Sequence, residues 1–416
     1  MSARFLTAVS GRAFNMRDRF GREIDYMRIS VIDSCNLNCY YCNPQDNNKK
    51  CQAINILSVK KVLCIVRAAT RLGITHFRLT GGEPLLHPQI DEMVSQIKKI
   101  PGVRSVSLTT NAVLLAQHAK QLKEAGIDSI NVSLDTIDAS EYEHITKKPL
   151  LHKVEQGIDA AIECGIRVKI NVVLTPQTDV VALTRYASKK GTDIRFIEMM
   201  PVGEGRTNGV EPYEKVIGTL SGVYGQPCYV NTEKSNEINS EFNKYNKAQQ
   251  TQIEQQAKES TQTYMGRKNT DNGPAEYYIF PGLGIRVGLI QAIHGKFCDS
   301  CNRIRVTADG RLMPCLGSSV TMDLLPDSCD FTDDLTDDLE KDSVIAKALK
   351  AAIKAKPKCH NFSDEEVLQP ESVTYNTNKN NESENAVTYK KTTEIKTTEI
   401  KAAGADAARN MSRIGG

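Results

Sequence analysis

The chain has 416 residues, with Lys+Arg at 53 against Asp+Glu at 50 and a net charge of +3. That balance argues against nucleic-acid or membrane-surface binding through bulk charge, so an anionic ligand must be met by a local cluster of cations. No apolar run approaches the roughly 18 residues of a membrane span, and the twelve cysteines, read as unpaired, fit a reducing cytoplasm.

Short runs rich in β-branched residues recur at Met27 to Ile32, Thr75 to Leu79, Ser105 to Leu108, Ser129 to Leu134, Val168 to Leu174 and Asp193 to Glu198. Helical patterns lie between them, such as Ser58 to Leu72 and Leu114 to Ala125, the latter stopped by Gly126. This alternation predicts parallel strands with right-handed helical crossovers. Six units predict an α/β architecture, a partial (β/α)6 TIM-like barrel, with its active site at the C-terminal ends of the strands. The unusual residues collect there: a cysteine triad after strand one, Thr80-Gly81-Gly82-Glu83-Pro84 after strand two, Thr109-Thr110-Asn111 after strand three and Met199-Met200-Pro201 after strand six. Taken singly, each reads as an ordinary turn or cap.

From about Lys234 to Asn272 the sequence turns polar and Gln/Asn-rich, and from about Glu371 to Ala405 it does so again, with a tandem KTTEI repeat at Lys391 to Ile400. Neither stretch offers enough apolar surface to fold alone. The expected organisation is a barrel over residues 1–225, a disordered insertion over 226–275, a C-terminal cluster-binding region over 276–368, a low-complexity linker over 369–405 and a tail over 406–416.

Six cysteines form two triads: Cys35, Cys39 and Cys42 in CNLNCYYC, and Cys298, Cys301 and Cys315 in FCDSCNRIRVTADGRLMPC. Three thiolates hold a cubic 4Fe-4S cluster by three corners and leave one iron open to a small molecule. A pair of zinc sites is the competing reading. Structural zinc wants four protein ligands, for which His294 or Cys51 could be drafted, though neither has the usual zinc-knuckle spacing.

The first triad, with Tyr41 before its last cysteine, resembles the signature of the radical S-adenosylmethionine (SAM) superfamily. Within it the chain resembles the GTP 3′,8-cyclase family, which carries out the first step of molybdenum cofactor biosynthesis. The stretches that carry the likeness are FGR…YMRISVIDSCNLNCYYC, RLTGGEPLL, INVSLD, RFIEMMPVG, CDSCNRIRVTADGRLMPCL and the terminal Gly415-Gly416. The likeness runs from about Asp18 to His360 apart from the insertion, and resumes at Arg409 to Gly416.

The resemblance implies a radical SAM partial barrel whose C-terminal extension carries a second 4Fe-4S cluster, with SAM as the further cofactor. It places Gly82 at the methionine amino group and Tyr41, Ser133 and Met200 around the rest of SAM. It assigns Arg28, Arg78, Thr109, Lys169, Arg303, Ile304 and Arg305 to GTP, with Ile304 acting through its backbone and the open iron of the second cluster holding guanine. The implied reaction abstracts hydrogen from ribose C3′, joins C3′ to C8 of guanine and, after one-electron reduction, gives (8S)-3′,8-cyclo-7,8-dihydroguanosine 5′-triphosphate. A cyclic pyranopterin monophosphate synthase would follow in the pathway. The electron donor is unassigned, a homodimer is left open, and neither nucleic acid nor membrane is expected as a partner.

The Gly-Gly tail would enter the barrel. Four positions depart from the family pattern: Ser34, His76, Ala112, where Gly usually follows TTN, and Gly317. Two other readings remain: a radical SAM peptide maturase with an auxiliary cluster, and a non-catalytic metal-binding protein.

Overall fold

Strand β1 (Tyr26–Ser30) is the hub of the sheet, paired in parallel with β2 (His76–Thr80) on one side and with β10 (Arg303–Val306) on the other. The computed structural model describes residues 16–42, 54–200, 213–229, 273–318, 320–324 and 339–360. Most of the polar insertion, the low-complexity linker, the Gly-Gly tail and Cys51 lie outside the described residues.

All the described strands belong to one sheet. From β2 it continues in parallel through β3 (Ser105–Thr110), β4 (Ser129–Ser133), β5 (Arg167–Val173) and β6 (Asp193–Ile197) to β9 (Arg286–Ile290). The six expected strands are therefore flanked by two further parallel strands from the C-terminal region. Antiparallel edges finish it: β11 (Arg311–Met313) and β12 (Met322–Asp323) beyond β10, and β8 (Glu276–Ile279) and β7 (Cys228–Tyr229) beyond β9. Strands β9 and β10 do not pair, so the barrel is partial, and residues 291–302 cross its open seam.

The crossover helices start and stop for local reasons. In α1 (Val59–Arg71) the Ser58 side chain accepts from the Lys61 N–H, and Val59, Val62, Leu63 and Val66 recur at helical spacing on the buried face. After α2 (Ile90–Lys98) and α3 (Leu115–Glu124), α4 (Ala139–Thr146) is capped by Asp138 and leads directly into α5 (Leu151–Glu163). Helix α6 (Val180–Lys190) is capped by Asp179 and stopped by Gly191 at φ +64°. Helix α7 (Tyr213–Tyr224) follows β6, and α8 (Leu339–Ala355) packs on α1.

Strand alternation decides what faces the interior. Met27, Ile29, Phe77, Leu79, Val106, Leu108, Ile130, Val132, Ile170, Val172, Ile194, Phe196, Val287, Leu289, Ile304 and Val306 all join the apolar core shared with the helices. Successive side chains of a strand point to opposite faces, so the intervening residues line the lumen. They include Arg28, Ser30, Arg78, Thr80, Ser107, Thr109, Asn131, Lys169, Asn171, Asp193, Arg195, Arg286, Arg303 and Arg305. A TIM barrel fills this space with branched apolar side chains. Here it is polar and rich in cations.

Candidate active site

The two cysteine triads sit at opposite ends of that lumen. Cys35, Cys39 and Cys42 follow the C-terminal end of β1. Cys298 and Cys301 precede the N-terminal end of β10, and Cys315 follows β11, which runs back antiparallel to β10. Because Tyr26 of β1 is level with Arg303 of β10, the ends are separated by little more than a strand length, about 17 Å for five residues.

Backbone contact holds the first triad's loop. Gly82 N–H donates to Ile32 O at 2.7 Å and Glu83 N–H to Ser34 O at 2.8 Å. A Cβ on Gly81 would stand 2.4 Å from Ile32 O, and one on Gly82 2.2 Å from Ser34 O, so only glycines admit this approach. The carboxylate of Glu83 then gathers the next strand end, accepting from Thr110 Oγ1 at 2.7 Å, Asn111 N at 2.8 Å and Leu85 N at 3.0 Å. Burial pushes Glu83 up to about pKa 7 against those hydrogen bonds. Asn111 Nδ2 donates to Asn36 Oδ1 at 2.7 Å and approaches Cys35 Sγ at 3.8 Å.

Burial raises all three thiols, Cys39 strongly and Cys42 to about 12, with neighbouring thiolates and Asp135 adding to the effect on both. Such a group stays protonated until a cation offsets its charge. Three clustered thiols of this kind fit an iron-sulfur cluster. Tyr41 Oη donates to Asp135 Oδ2 at 2.5 Å, and Asp135 Oδ1 accepts from Val173 N at 2.8 Å. Cys39, Tyr41, Asn111, Ser133 and Asp135 line one small cavity beside the triad. Ser133 is exposed there, whereas half-buried Met200, beyond β6, does not line it.

At the other end Lys356 is almost fully buried and donates to Arg303 O at 2.8 Å and to Pro314 O at 2.9 Å. It thereby ties the Cys301 side of the triad to the Cys315 side. Burial raises Cys301, but the charges of Arg303 and Lys356 outweigh it and bring the thiol down to about 7. Cys298 goes the other way, to about 11, through burial and its hydrogen bond with Cys359. His294, the candidate fourth zinc ligand, joins no group of three close ligand atoms among the described residues. Glu198 accepts from Ile293 N at 2.6 Å and His294 N at 3.2 Å, and the His294 ring Nδ1 also contacts this carboxylate.

Between the ends, Arg305, Arg28, Arg78 and Ser107 stand in register on four neighbouring strands. Burial lowers Arg28 well below its ordinary value, followed by repulsion from Arg305 and Arg78, and burial with Arg303 brings Arg305 to about 10. Arg78 Nε donates to Ser107 Oγ at 3.1 Å, and its guanidinium lies 5.7 Å from the Tyr26 ring centre. His76 stacks on Tyr26 from the same level. Two residues further along the strands, Thr109, Asn131 and Lys169 are aligned and buried. Arg305 Nη1, Arg195 Nη2, Thr109 Oγ1 and both amide atoms of Asn131 are buried with no hydrogen-bond partner among the described residues. Buried donors left this way cost about 1–3 kcal/mol each, which a bound polyanion with donor and acceptor edges would offset. Ile304 is fully buried in the opposite, apolar face, so only its backbone is available to a ligand.

Sequence reasoning passed over Asn131, Asp135, Arg195, Lys356 and Cys359. The first and third lie on the same alternating face as residues that were singled out, so the period of two was the available signal. Asp135, Lys356 and Cys359 matter through long-range contacts that no local pattern carries.

Comparison with known proteins follows the same outline. The Radical SAM superfamily model matches residues 29–183 and the Molybdenum Cofactor Synthesis C model residues 229–362. A GTP 3′,8-cyclase of Clostridium perfringens is 33% identical over 354 residues, 84% of this chain and 96% of that one. Those of Alkaliphilus oremlandii (34% over 351 residues, 83% and 95%) and Listeria monocytogenes (35% over 352 residues, 84% and 92%) are similarly related.

Proposed function

The chain belongs to the GTP 3′,8-cyclase family, and we propose that it binds GTP in the cationic lumen and converts it to the 3′,8-cyclised nucleotide, the first step of molybdenum cofactor biosynthesis. The observation that carries this reading is the register of Arg305, Arg28 and Arg78 beneath buried, unsatisfied donors, between two thiol triads. Three like charges gathered on one face oppose folding; a triphosphate reverses that sign through charge-assisted, bidentate hydrogen bonds.

Cys35, Cys39 and Cys42 would hold one 4Fe-4S cluster and Cys298, Cys301 and Cys315 the other. When bound at the first triad, cluster and SAM supply a 5′-deoxyadenosyl radical. The chain's own residues position and shield the reactants. The Gly81-Gly82 backbone fixes the cysteine loop, Tyr41 is oriented by Asp135, and Ser133 opens onto the same cavity. Arg28, Arg78, Arg303, Arg305, Lys169 and Thr109 meet the nucleotide, and the apolar layer outside the strands holds the sheet that carries them. A cytoplasmic location and a downstream cyclic pyranopterin monophosphate synthase fit this role; no described helix is long and apolar enough to cross a membrane. Anaerobic turnover of SAM with GTP as the only substrate tests the proposal.

A further inference from the structure

Cys298 has two sets of neighbours, and the triad is only one of them. Its Sγ, the Cys359 Sγ and a ring nitrogen of His360 all lie within 4.8 Å of one another, the one such group of three among the described residues. A tetrahedral ion with bonds of about 2.3 Å to sulfur and 2.0–2.1 Å to nitrogen holds its ligand atoms roughly 3.3–3.8 Å apart. The spacing therefore suits a single metal ion. Cys298, Cys301 and Cys315 form no group so tight among the described residues.

The arrangement is held from two sides. Arg22 Nη1 donates to Cys298 O at 2.7 Å and Lys358 O at 2.9 Å, while its Nη2 donates to Pro357 O at 2.6 Å. One buried guanidinium, neutralised by Asp18 at 2.5 Å, thus locks the Cys298 turn to the segment that carries Cys359 and His360. His360 Nε2 lies 2.7 Å from Ala292 O. A carbonyl only accepts, so Nε2 is the donor in this contact, which fixes the orientation of the ring. A ring nitrogen anchored on a backbone carbonyl is a habit of metal-bound histidine.

We propose that Cys298, Cys359 and His360 form a mononuclear site for a zinc-class divalent ion, open at a fourth position, that orders this corner of the cluster-free chain. Two thiolates and an imidazole are the donor set of zinc and of its tetrahedral substitute cobalt(II). Cys298 cannot serve this ion and a cluster corner together, so the ion must leave before the second cluster is complete. That competition rests on the cluster assignment above; the site itself does not.

The test uses the full chain with Cys35, Cys39 and Cys42 replaced by alanine, prepared anaerobically without iron and titrated with cobalt(II). One tight equivalent with the visible absorption of tetrahedral cobalt and a thiolate-to-cobalt band is expected. Adding Cys359→Ser or His360→Ala should weaken binding by more than the roughly 10–100-fold that loss of an outer-shell partner costs. Adding Cys301→Ser with Cys315→Ser should leave the spectrum in place. Zinc loaded beforehand should slow iron uptake at the second triad, and Cys359→Ser should remove the delay. A cobalt spectrum that survives Cys359→Ser but is lost with Cys301 and Cys315, or no tetrahedral spectrum at all, overturns the proposal. Clusters that load while no cobalt site forms would sink the mononuclear site alone. A cobalt site in a chain that never takes up a cluster would sink the cluster assignment instead.

Discussion

The Cα of Gly82 lies so close to the Ser34 carbonyl oxygen that a side-chain carbon there would stand 2.2 Å from it. The neighbour is backbone, directly before Cys35, and cannot swing aside as a side chain would. Gly82→Ala should therefore displace the first cysteine loop, at a cost of roughly 1–3 kcal/mol for overpacking. Iron at the first triad and SAM cleavage should fall, while iron at the second triad stays. Full iron content with undiminished cleavage would show that the close approach is dispensable.

Arg28 is half-buried with Arg305 and Arg78 level on either side. Arg28→Met keeps most of the volume and removes one of the three charges. The GTP-free variant should melt higher than the parent, yet bind GTP more weakly by about 1.5–3 kcal/mol, the range for hydrogen bonds to charged groups. Calorimetry with and without GTP, at unchanged iron content, checks both signs. Unaltered GTP affinity would move the phosphates elsewhere.

Much of this layout was legible in the strands themselves. The period of two in Ser129-Ile130-Asn131-Val132-Ser133 gives a strand with one apolar and one polar face, and the six βα units follow from such runs. What periodicity could not give is partnership at long range. Nothing in RVGLI or RIRV says that β9 joins β6 and β10 joins β1, because β9 is entered from its antiparallel partner β8 and β10 from residues 291–302, which hold only a short 3-10 turn. The polar lumen likewise appears only once the barrel curls and the alternate faces are sorted into inside and outside. Cys359 reads as an isolated cysteine among lysines until Arg22 brings it to Cys298.

Burial raises Glu83 from 4.5 to about 7, so between those values the folded chain holds a proton that the unfolded chain releases. Stability contributed by this group is then present below about pH 4.5, falls as pH rises through that window and levels off above 7, by on the order of 3 kcal/mol in all. Glu83→Gln, which cannot titrate, should flatten the stability profile between pH 5 and 7 relative to the parent. Parallel profiles for the two proteins in urea unfolding would contradict the assignment.

Ala112 has φ +63° and is fully buried, directly after Asn111. A left-handed conformation costs an L-residue about 1–2 kcal/mol, and loss of one buried methyl returns roughly 0.8 kcal/mol of that. Ala112→Gly should stabilise the chain by about 0.5–1 kcal/mol without altering SAM cleavage. A lower unfolding midpoint would mean that the methyl's packing outweighs the strain.

The central claim is that the two triads and the arginines between them act on one nucleotide. The most direct measurement is anaerobic incubation of the reconstituted chain with SAM, dithionite and GTP, followed by mass and NMR analysis of the nucleotide. The account predicts 5′-deoxyadenosine together with a GTP-derived nucleotide of unchanged nucleotide mass in which C3′ is bonded to C8. Cleavage of SAM with GTP recovered intact, or a chain that binds metal but never cleaves SAM, would contradict it.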